Sequence, residues 1–101
     1  MPTSRPPDAD LDALGKIARS AQRLAVVRFL RSRADAHLGA IQEGTGIAGP
    51  SLAPHLRELE AAGIITGDLT AEERRGRSVR YHLNHQRLQQ LVDHLNTQLL
   101  G

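Results

Sequence analysis

At 101 residues, with 13 Lys+Arg against 11 Asp+Glu and no cysteine, the sequence is sized for one domain. It excludes disulfides, thiolate metal sites and thiol-based redox sensing. One Phe, one Tyr and no Trp leave Leu, Ile, Val and Ala to build the core, which suits packed helices better than a large sheet.

The chain opens on Pro2, Pro6 and Pro7, so residues 1–8 read as a disordered N-terminal arm and residues 9–100 as the folded domain. Asp8 or Asp10 is placed to cap a first helix carrying Leu11, Leu14, Ile17 and Ala18 to about Arg19. Ser20 offers a new N-cap for a second helix with an apolar stripe of Ala21, Leu24, Val27 and Leu30. Ser32 to Ala36 is polar and closes it. Leu38 and Ile41 before Gly44-Thr45-Gly46 predict a very short third helix. A fourth carries Leu52, Leu56 and Leu59 and ends at Gly63, a left-handed C-cap. Pro54 crowds any start at Gly49, because it lacks an N–H and presses on the carbonyl of Pro50. The expected N-cap is therefore Ser51.

Ile64 to Leu69 reads as a strand, and Ser78 to Leu83 alternates with Val79, Tyr81 and Leu83 on one face. Asn84 then caps a fifth helix bearing Leu88, Leu91, Val92, Leu95 and Leu99. No run approaches the ~20 apolar residues that cross a bilayer, so no membrane partner is expected.

Charge is unevenly spread. Between Thr70 and Arg87 five arginines (Arg74, Arg75, Arg77, Arg80, Arg87) face two acids, leaving 8 basic against 9 acidic residues elsewhere. Lys16 is the only lysine. Guanidinium forks suit phosphates and base edges.

The order of short helix, tight turn, longer helix and hairpin with a basic tip is that of a winged helix-turn-helix, mainly α with a small β-hairpin. The face expected to enter a major groove holds Gly49, Ser51, Ala53, Pro54 and Arg57, with His55 either touching DNA or packing under the wing. Arg74, Arg75 and Arg77 at the hairpin tip would reach the backbone or a minor groove. The terminal helices, through Leu11, Leu14, Leu88, Leu91, Leu95 and Leu99, are the expected homodimer interface.

The runs LGKIARSAQRLAVVRFL (Leu14 to Leu30), LGAIQEGTGIAGPSLAPHLRELEAAGII (Leu38 to Ile65) and VRYHLN (Val79 to Asn84) resemble an ArsR-type regulator, with MarR-type winged helices close behind. The resemblance implies a cytoplasmic, nucleoid-associated homodimer whose repression is relieved by an effector, which no motif names. Three features depart from it. Where the family carries soft-metal thiolates around the short helix, this chain has His37 and Gly39. Asp93 and His94 match one half of the family's last-helix zinc site, but Gly101 is reached before the other half. Ala48, Gly49, Ala53 and Pro54 stand where the family places Ser, Gln, Thr or Arg.

No metal or other cofactor is expected, and His82, His85 and His94 read as surface residues. Arg23 and Arg28 read as surface ion-pair partners. No nucleophile motif or glycine-rich phosphate loop is present, so the reading is of a non-enzyme: a sequence-specific transcriptional regulator. The alternatives are a winged-helix protein-interaction module and a non-specific architectural or plasmid-maintenance DNA binder.

Overall fold

The computed structural model describes residues 6–70, 72–74 and 76–101. Its first helix, α1 (Pro6–Ala18), begins inside the segment expected to be a disordered arm; residues 1–5 lie outside the described residues. Two prolines start this helix because N–H groups of a first turn have no intrahelical acceptor to lose. Asp8 and Asp10 are thus inside α1 and not ahead of it.

Helix α2 (Ala21–Leu30) opens as expected at Ser20, whose hydroxyl accepts from the Arg23 N–H at 3.1 Å. A strand absent from the sequence reading follows: β1 (Ala36–His37). Two residues are too few to show an alternation, and only pairing with a distant strand makes them one. Helix α3 (Leu38–Thr45) stops at Gly46, whose left-handed φ of 76° a side chain would resist.

Helix α4 (Gly49–Ala61) corrects the expected start at Ser51. Ala48 is its N-cap, and the Ala48 carbonyl already accepts from Ser51 and Leu52 at 3.0 and 2.8 Å. Pro54 therefore lies within the helix. Leu52, Leu56 and Leu59 of this helix are buried in the core.

Strands β2 (Ile65–Gly67) and β3 (Arg80–Leu83) are shorter than the expected Ile64–Leu69 and Ser78–Leu83. They form an antiparallel sheet in the order β1-β3-β2, with Ala36 opposite Tyr81 and Ile65 opposite Leu83. Helix α5 (His85–Leu100) is capped by Asn84, whose side chain accepts from the Arg87 N–H at 3.1 Å.

The core joins α2 (Val26, Leu30), α3 (Ile41), α4 (Leu52, Leu56, Leu59), the sheet edge (Ile64, Ile65) and Leu91 of α5. Leu38, at the start of α3, is 38% exposed. Gly44 is required by packing. A Cβ there would overlap the Phe29 ring, so α2 and α3 approach only with glycine at this contact. Among the described residues no helix is long and apolar enough to cross a membrane.

Candidate nucleic-acid interface

Helix α4 is sorted by its 3.6-residue period into three faces. Leu52, Leu56 and Leu59 point into the core, while Pro50, Pro54, Arg57 and Ala61 are exposed on the opposite side. Between them lie Ser51, His55 and Glu58 on the flank toward α1 and α2, and Ala53 and Glu60 on the flank toward the sheet. Gly49 and Ala53 are half-buried, Ser51 exposed. The outward face thus carries one cation, Arg57, which makes no side-chain hydrogen bond or ion pair among the described residues.

His55 does not belong to that face. The Arg23 Nε–H donates to its Nδ1 at 3.0 Å, and its Nε2 lies 2.7 Å from the Gln22 side-chain oxygen. With Nδ1 accepting, the ring is neutral and Nε2–H is the donor to Gln22. Desolvation, followed by the charge of Arg23, lowers its pKa below the ordinary histidine value. Arg23 accordingly engages a histidine, and not an acid as the sequence reading had it; it also donates to the Lys16 carbonyl at 3.3 Å. Beside this contact Lys16 of α1 pairs with Glu58 of α4, whose carboxyl that hydrogen bond lowers. Three polar contacts thus tie α4 to α1 and α2.

The wing is the segment between β2 and β3. Arg74, expected to face DNA, turns back onto α4. Its guanidinium donates to Glu60 at 2.6 Å and to the Leu69 carbonyl at 2.9 Å, and the Glu60 bond raises its pKa. Glu60 also accepts from the Gly67 N–H at 3.2 Å. A Cβ on Gly67 would press on both Arg74 and Val79, so glycine is what lets the arginine lie across the strand. Arg77 is exposed, beside His37 and Leu38 at the start of α3. Arg75 lies outside the described residues. Arg80 is held by Asp35 at 3.1 Å.

Of the six leucines assigned to an interface between copies, Leu91 is wholly buried in this chain's own core, which corrects that assignment. Leu14 and Leu88 pack partly against the core, Leu95 is half-buried, and Leu11 and Leu99 are 52% and 71% exposed. Leu14, Leu24, Val27, Leu88, Val92 and Leu95 line an apolar groove of about 510 Å³ between α1, α2 and α5. One polar cluster fastens the two terminal helices: Asp10 accepts from Arg87 at 2.9 Å and lies 2.8 Å from His94 Nδ1. The His94 hydrogen bond, and then Arg87, lower the Asp10 carboxyl against the opposing effect of burial.

Four of these partners were not singled out from sequence: Gln22, Glu58, Glu60 and Asp10 as an ion-pair acceptor. Asp10 and His94 are 84 residues apart, and no local pattern links them. Among the described residues no group of three or more His, Asp or Glu side chains is placed to hold a metal ion.

The sequence matches no protein-family model and no curated protein. Among solved structures it is similar to one described as transcriptional regulator PA4135, at 20% identity and a TM-score of 0.60, over 88% of this chain and 67% of that one. At that identity the likeness shows the fold alone, five helices with a small three-stranded antiparallel sheet.

Proposed function

We propose that this chain binds duplex DNA as a homodimer and regulates transcription as a repressor. The observation that carries the reading is the free outward face of α4, flanked by a wing anchored to it through Arg74 and Glu60. A helix presented in this way, with Arg57 on it and Arg77 beside α3, has the form that enters a major groove while cations meet the backbone. The apolar groove between α1, α2 and α5, with Leu11 and Leu99 exposed nearby, supports pairing of two copies through those helices.

Selection of bound sequences from random duplex DNA tests the reading. The expected result is a pseudo-palindrome with half-sites about one helical turn apart. In fluorescence-anisotropy titrations Arg57→Ala and Arg77→Ala should each weaken binding, and Arg77→Ala should reduce the salt slope by about one. An unchanged slope together with no enriched motif would sink the assignment. The shortage of hydrogen-bonding side chains on α4 favours a second reading, a winged-helix protein-interaction module. Such a module enriches no motif in the same selection.

A further inference from the structure

In helix-turn-helix proteins the N-terminal part of the second helix meets the base edges. Here that part presents Pro50 and Pro54 to solvent with Ala53 half-buried between them. None of the three has a side-chain donor or acceptor. We infer that the preferred duplex turns thymine C5 methyl groups toward Pro50 and Pro54, with Arg57 taking the O6 and N7 acceptors of a neighbouring guanine. This inference rests on the DNA-binding reading and specifies its substrate.

The chemistry is one of exclusion as much as attraction. Thymine alone offers a methyl group in the major groove, beside its O4 acceptor; guanine, adenine and cytosine offer hydrogen-bonding atoms without one. A proline ring against one of those atoms strips its water and returns no hydrogen bond, which is unfavourable. The same ring against a methyl group buries apolar surface on both sides. Spacing places the two proline contacts about two base steps apart. Pro50 and Pro54 are one helical turn apart, ~6 Å along the axis, against ~3.4 Å between successive bases of one strand. Arg57 lies ~4.5 Å further on, on the same exposed face, and its planar fork matches the guanine edge.

The test starts from the duplex that random-site selection enriches. Each thymine is replaced in turn by uracil, which removes the methyl and leaves the pairing intact. Affinity should fall about fourfold at each contacted position and stay constant elsewhere. Pro54→Ser should abolish the thymine–uracil difference at one of those positions. This variant retains the fold, checked by circular dichroism, because it restores an N–H opposite the Pro50 carbonyl. Equal affinity for thymine and uracil at every position of a duplex that binds overturns this inference and leaves the DNA-binding reading standing. Unaltered discrimination by Pro54→Ser overturns the assignment of that residue. Failure to bind any duplex overturns both.

Discussion

Both ring nitrogens of His55 are taken, one by Arg23 and one by Gln22, and that fixes its protonation state. Protonating Nδ1 would set two N–H groups against each other beside a guanidinium. The folded-state pKa is accordingly below the 6.5 of a free histidine. The unfolded chain then takes up a proton at a pH where the folded chain does not. The contribution of His55 to stability is full above about pH 6.5 and is lost as pH falls from there toward the lowered value. Melting temperature should drop between about pH 7.5 and about pH 5.5, and the drop should shrink in His55→Asn, which keeps an acceptor but cannot titrate there.

Asp10 has a dependence of the same sign in a more acidic window. Its lowered carboxyl stabilises the fold above the ordinary value of 3.8, and that contribution disappears as pH falls through the folded value. Asp10→Asn at neutral pH should lower stability by about 1–2 kcal/mol, measured by urea unfolding, because Arg87 and His94 lose their charged partner.

Among the elements, α4 and the α2–α3 contact carry visible compromises. Pro54 leaves the Pro50 carbonyl without its intrahelical donor on the exposed side of α4. Pro54→Ala should therefore stabilise the protein by about 1–3 kcal/mol, raising the melting temperature by about 4–8 °C per kcal/mol. A lower melting temperature would mean that the helix needs the proline. Gly44→Ala should act the other way, by about 1–3 kcal/mol, since Phe29 must leave its position between the helices. The wing behaves as a strap. Arg74→Ala should loosen it and leave Glu60 with the Gly67 N–H but no cation, whereas the salt slope of DNA binding should respond to Arg77→Ala more than to Arg74→Ala.

At the scale of the whole molecule, one domain divides its leucines between its own core and an exposed surface, the one through which we propose that two copies pair. Leu91 belongs to the first set, so Leu91→Ala should cost about 2–5 kcal/mol in any assembly state. Leu11 and Leu99 belong to the second. The double variant Leu11→Glu, Leu99→Glu should sediment as a monomer with an unchanged circular dichroism spectrum. A variant that still sediments as a dimer would move the interface away from α1 and α5.

Much of this architecture was legible locally. Ser20 and Asn84 as caps, Gly63 as a helix stop, and Leu52, Leu56 and Leu59 as one buried face depend on neighbours within a turn or two. The helix order, the basic segment and the absence of thiol chemistry needed only the string of residues. Tertiary structure decided the rest, because those choices are settled by partners far away in sequence. It added β1 by pairing Ala36 with Tyr81, and began α4 at Gly49, ahead of the expected cap at Ser51. It also set His55 and Arg74 in contact with Arg23 and Glu60, residues 32 and 14 positions away. Periodicity can show that a side chain lies off the core face, but a charge or a hydrogen-bonding ring on the surface goes to whichever partner the fold brings within about 3 Å.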